Sequence, residues 1–161
     1  MKFEEGNIVF EFDENEWEVL NYDSKNGVYA KANLPAETKA VDFAGILKNN
    51  RVVLLEVKDF RGNRTASQSR FDAGNKDNLF DEIGQKVRDS IAVIIGAAKT
   101  AKAREDYFIY KKMASLLGSE ADSLRILVWI EEDAHTIGGI SNTAIQKRKR
   151  VSTNFLQKKF R

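Results

Sequence analysis

The apolar positions of the chain change their period several times, and each change predicts an element. Ile8, Phe10 and Phe12 alternate with Val9 and Glu11, the period of a short strand. Asp13 followed by Glu16 forms a capping box, which predicts a short helix through Trp17 and Leu20. Asn26-Gly27 marks a turn, and Val28 to Ala30 reads as a brief strand. "KAVDFAGIL" and "RVVLLEVK" are two strand patterns separated only by Lys48, Asn49 and Asn50. The polar stretch "FRGNRTASQSRFDAGNKDN" reads as a mobile loop. From Leu79 to about Ala103, Ile83, Val87, Ile91, Ile94, Ile95 and Ala98 fall at helical spacing. A second helix is predicted over Tyr107 to Leu117, stopped by Gly118. "LRILVWIEE" is near-continuously apolar, the pattern of an interior strand. A basic amphipathic helix with Val151, Phe155 and Leu156 on its apolar side is predicted at the end of the sequence. The order helix, three strands, long helix, strand and helix argues an α/β fold with a mixed sheet covered on both faces.

One of these strands poses a chemical question. "RVVLLEVK" reads as deeply buried, yet Glu56 and Lys58 share one of its faces. Burying a charge costs several kcal/mol unless something compensates it. If Lys48 to Asn50 form a tight three-residue hairpin connection, Leu47 pairs with Arg51, and counting outward sets Asp42 opposite Glu56. Directly opposed side chains have Cβ atoms about 4.5–5.5 Å apart, where like charges repel. Asp42, Glu56 and Lys58 would then form one patch. It is either a seat for a hard divalent cation, which takes oxygen ligands, or a structural ion cluster neutralised by the lysine. A one-residue slip of register would send Asp42 to the opposite face.

Composition narrows the chemistry without choosing between these. The chain of 161 residues is the size of one domain, taken as 1–161, with 42% hydrophobic and 31% charged residues. It holds no cysteine, which excludes disulfides, thiolate metal sites and thiol nucleophiles. No apolar run approaches the ~20 residues that cross a bilayer, and no signal-peptide pattern opens the chain, so a cytoplasmic location is expected. The net charge of +2 names no partner, but its distribution is uneven. Met1 to Leu20 carries seven acids against one lysine, whereas Ser141 to Arg161 carries seven basic residues and no acid. That basic end is suited to following phosphates.

Asp42, a gap of thirteen residues, then Glu56-Val57-Lys58 at the end of an apolar strand resembles the PD-(D/E)XK nuclease superfamily. This group includes restriction endonucleases, Holliday-junction resolvases, and phage-defence and repair nucleases. The predicted element order is similar to that superfamily's αβββαβ core over roughly Asp13 to Glu132. Val41 stands where the motif's name has proline. The resemblance implies that Asp42, Glu56 and the main-chain carbonyl of Val57 bind Mg²⁺ or Mn²⁺. It implies that Lys58 orients and helps deprotonate the attacking water, or stabilises the charged phosphorane. Members often add an acid from the first helix, for which Glu16 is the candidate beside its capping role. Arg61 and Arg64, in the loop after the motif, are candidates for the phosphate backbone. Lys86, with Gln85 beside it, matches in part the Gln- or Lys-bearing helix of some members. The single histidine, His135, reads as a loop residue.

The function so implied is Mg²⁺-dependent hydrolysis of phosphodiester bonds in DNA. Its rival is a non-catalytic nucleic-acid-binding or interaction module that keeps the nuclease-like fold. Duplex cleavage takes two cuts, which makes a homodimer a candidate arrangement.

Overall fold

A computed structural model describes residues 1–32, 34–62, 70–71, 74–75, 78–119 and 123–132. Strands β1 (Lys2–Glu5) and β2 (Ile8–Glu11) form an antiparallel hairpin turning at Gly6, whose φ of 56° suits a residue without a Cβ. β3 (Trp17–Asn21) leads to a single helical turn, α1 (Val28–Lys31). β4 (Phe43–Leu47) and β5 (Arg51–Asp59) make a second hairpin; helices α2 (Leu79–Thr100) and α3 (Tyr107–Leu117) follow, and β6 (Leu124–Glu131) ends the described elements. The main sheet has the order β3-β4-β5-β6, with β4 antiparallel to both neighbours and β6 parallel to β5. The protein is therefore mixed α/β, built on a mixed sheet of four strands among the described residues.

Period-2 alternation gives the sheet two apolar faces. Ala44, Ile46, Val52 and Leu54 pack against Ile83, Val87 and Ile94 of α2 and Tyr110 and Met113 of α3. On the other face Val19, Phe43, Leu55 and Val57 pack with Phe12 and with Phe3 and Phe10 of the first hairpin. The Phe43 ring stands 5.3 Å from Phe10 and 5.6 Å from Phe12. Gly45 permits the close approach of β3 to β4, since a Cβ there would lie 2.6 Å from the Glu18 carbonyl oxygen.

Several sequence expectations need correction. Asp13 caps a turn instead of a helix: its carbonyl accepts from Glu16 and Trp17, and its Oδ1 accepts from Asn15. Trp17 to Asn21 then forms a strand, because Trp17 and Val19 serve one apolar face while Leu20 and Tyr22 serve the other. A strand apolar on both sides defeats the helix reading. Val28 to Ala30 belongs to a helical turn, closed by the Ala32 N–H donating to the Val28 carbonyl at 2.9 Å. β6 lies at the edge of the described sheet, not inside it, with Leu127 45% and Trp129 48% exposed. Among the described residues, α2 and α3 cover one face and a β-hairpin covers the other, instead of helices on both. No helix among them is long and apolar enough to cross a membrane. The basic segment from residue 141 onward, His135 and Arg64 lie outside the described residues.

Candidate metal centre

The β4–β5 connection is three residues long, as its sequence predicts: Leu47 pairs with Arg51, the Asn50 N–H donates to the Leu47 carbonyl, and Asn50 adopts φ 59°. The register that pairs Phe43 with Leu55 places Asp42 one step further, opposite Glu56. There the ladder ends in a side chain. Asp42 Oδ2 accepts the Val57 N–H at 2.6 Å, standing in for a backbone carbonyl of β4, while its own carbonyl accepts from Tyr22 at 2.8 Å. Asp42 is 5% and Glu56 1% exposed.

Helix α2 completes the site from above the sheet. Asn78 caps it, with Oδ1 accepting the Phe80 N–H at 2.9 Å, and Asp81 and Glu82 in the first turn suit the positive end of the helix. Glu82, Lys86 and Ser90 follow at four-residue intervals, so they share one face. Ser90 Oγ accepts the Val41 N–H at 3.0 Å and fixes the backbone just before Asp42. Lys58 Nζ lies 2.8 Å from Glu56 Oε1 and 2.8 Å from Glu82 Oε1. Lys86 Nζ lies 2.6 Å from the same Glu56 oxygen and 3.7 Å from Asp42 Oδ1. Arg70 pairs with Glu82.

Two further acids join from places the sequence reading did not consider. Glu5, at the end of β1, and Asp23, just after β3, each bring a carboxylate oxygen to Asp42, all three within 4.8 Å of one another. Only recognition of the first hairpin and its turn at Gly6 could have brought Glu5 here. Glu16 is elsewhere. It precedes β3, at the end where Trp17 pairs with Leu47, and its carboxylate is 3.5 Å from Lys48. The length of β4 therefore separates it from Asp42, and the first-helix ligand role does not fit. Arg61 is bonded to both oxygens of Asp59, at 2.8 and 2.6 Å.

The charges are unequal. Among the described residues, five carboxylates (Glu5, Asp23, Asp42, Glu56, Glu82) meet three cations (Lys58, Lys86, Arg70), a formal excess of two negative charges. Burial, and then Asp42, push the Glu56 carboxyl above the usual carboxylate range against the pull of the two lysines. Burial and Asp42 likewise raise Glu5 and Asp23. Burial works against the Lys58 charge, but Glu56 and Glu82 outweigh it and hold its pKa above the ordinary lysine value. Burial would raise Glu82 too, yet Lys58 and Arg70 bring it below its ordinary value. Glu56 Oε2 is buried and accepts no hydrogen bond among the described residues. Crowded carboxylates, an excess negative charge and an orphaned buried oxygen fit a hard divalent cation.

These shifts predict a pH profile. An acid whose folded pKa is raised keeps its proton longer in the folded protein, so stability falls as pH climbs through that window. Glu5, Asp23 and Glu56 act this way above the ordinary carboxylate range. Glu82 and Asp89, both lowered, act below it, and their contribution is lost as pH falls through their folded values. Urea midpoints in EDTA are expected to peak near the ordinary carboxylate range and decline over the interval just above it. Mn²⁺ should abolish the decline. A profile in EDTA that rises across that interval contradicts the crowding of these acids.

Compared with protein-family models, curated proteins and solved structures, the chain matches none.

Proposed function

We propose that the chain is a metal-dependent nuclease hydrolysing phosphodiester bonds in DNA, with the restriction-endonuclease-like core that its motif resembles. The observation that carries this reading is the convergence of Asp42, Glu56 and Lys58 on one face, around a buried Glu56 oxygen that accepts no hydrogen bond among the described residues. Leaving a buried acceptor unsatisfied costs about 1–3 kcal/mol, more if charged, and ligation of a cation removes that cost. The parallel β5–β6 pair joined across two helices supports the core as well. The chain departs from the αβββαβ order at its start, where a hairpin and a turn stand in place of the leading helix.

In this reading Asp42, Glu56 and the Val57 carbonyl hold Mg²⁺ or Mn²⁺, with Glu5 and Asp23 completing the oxygen set in place of Glu16. The bound cation supplies polarisation of the phosphate and a lowered pKa for its water. Lys58, fixed between Glu56 and Glu82, is an ammonium suited to orienting the attacking water and stabilising charge that develops on the phosphoryl oxygens. Arg61, by exchanging Asp59 for phosphate, together with Arg64 and Lys86, would meet the DNA backbone.

The ligand set has its own test. Glu5→Gln combined with Asp23→Asn is expected to weaken Mn²⁺ affinity about tenfold or more, as loss of a neighbouring anion would. Glu16→Gln should leave it unchanged. A weakened Glu16→Gln and an unaffected double variant would reverse the assignment.

A second reading rests on one observation. Lys58 and Lys86 both bond Glu56 Oε1, an arrangement that also suits an ion cluster in a non-catalytic nucleic-acid-binding module. Incubation of the full chain with supercoiled, linear and branched DNA, in Mg²⁺, Mn²⁺ or EDTA, separates the two. Metal-dependent cleavage supports the nuclease; binding without cleavage under every condition supports the module.

A further inference from the structure

The two lysines of the site are anchored differently. Lys58 divides its ammonium between Glu56 and Glu82, each at 2.8 Å, and Glu82 lies outside the proposed ligand set. Lys86 has both its anchors inside that set, Glu56 Oε1 at 2.6 Å and Asp42 Oδ1 at 3.7 Å. Its ammonium thus stands between the two carboxylates that a shared cation would have to bridge. Ligand oxygens lie about 2.0–2.6 Å from Mg²⁺ or Ca²⁺-sized ions, which leaves no room for an ammonium in the same gap. We propose that Lys86 is the resident cation of this site, seated between Asp42 and Glu56 until a divalent ion takes its place, and that it then swings out toward the substrate phosphate. The inference rests on the metal reading of Asp42 and Glu56, and it goes beyond it by giving the helix lysine a competing role.

The geometry makes Lys86 the one to yield. It projects from α2 one turn beyond Glu82 and keeps 15% of its side chain exposed, so rotation of its flexible stem releases the ammonium without moving the helix. Lys58, retaining Glu82, stays when Glu56 turns to a metal. The site would then exchange one positive charge for two and gain a mobile phosphate contact at the same moment, coupling cation entry to DNA binding.

The test follows side-chain lysine signals by NMR in the full chain, with Lys86→Arg and Lys58→Arg providing the assignments. Titration with Mg²⁺, without nucleic acid, is expected to move the Lys86 signal to the position of a solvated lysine and leave Lys58 close to its starting place. Calorimetry on Lys86→Met should show Mn²⁺ binding tightened by about tenfold or more, the scale of a close charge contact partly screened by solvent. Binding in Lys86→Met alone, with none in the wild type, would support the same competition in a stronger form. Wild-type binding with an unmoved Lys86 signal, or an unchanged affinity in Lys86→Met, overturns the inference and leaves the metal reading standing. No Mn²⁺ binding by either protein overturns both.

Discussion

Lys58→Ala is expected to lose DNA cleavage while still binding Mn²⁺. Of the two lysines described at the site, Lys58 is the one with an anchor outside the proposed ligands, Glu82. Its removal should therefore spare Asp42, Glu56 and the Val57 carbonyl. A positioned group that handles the water or the developing charge contributes about 10²–10⁴-fold to rate, so nicking of supercoiled DNA should fall by at least a hundredfold. Some stability goes with it, since among the described residues Glu56 then keeps Lys86 and Glu82 keeps Arg70 as ion-pair partners. The comparison is therefore made below the melting range of the variant. Equal cleavage by variant and wild type would remove Lys58 from the mechanism.

The second large effect concerns stability and needs no substrate. Asp42 brings its charge against Glu56, Glu5 and Asp23, and burial raises all three of those carboxyls. Asp42→Asn removes that repulsion yet keeps an oxygen able to accept the Val57 N–H. In EDTA the variant should be as stable as the wild type, or more so. Mn²⁺ at a hundred times its dissociation constant should stabilise the wild type by about 2.7 kcal/mol. For a chain of this size that is about 5–10 °C in Tm. The variant should lose most of that gain. A structural ion cluster predicts the reverse: the attraction of Lys86 to Asp42 would outweigh the repulsion among the acids, the variant would melt early, and Mn²⁺ would change little.

How far the sequence disclosed this site depended on whether local signals were unambiguous. The β4–β5 hairpin was legible because a three-residue connection between two strong strand patterns leaves one register, and that register brings Asp42 to Glu56. Helix α3 was legible to the residue, from Tyr107 to Leu117. Trp17 to Asn21 was not, because a real Asp13 turn imitates a helix cap, and a strand with apolar residues on both faces lacks simple alternation. The error mattered for chemistry, since it made Glu16 the extra acid. Glu5 and Asp23 reach Asp42 through the packing of the first hairpin over the sheet and the chain reversal after β3, contacts that no local pattern encodes. Lys86 was legible as a helix residue beside the apolar stripe, but its position between Asp42 and Glu56 depends on how α2 crosses the sheet.

Calorimetric titration of Mn²⁺ into the full chain, wild type beside Asp42→Asn and without DNA, tests most directly whether Asp42 and Glu56 form a cation seat. The nuclease reading predicts saturable binding by the wild type, loss of most of that affinity in the variant, and an unchanged or higher melting temperature for the variant in EDTA. A wild type that takes up no Mn²⁺, together with a variant that is strongly destabilised, would contradict it.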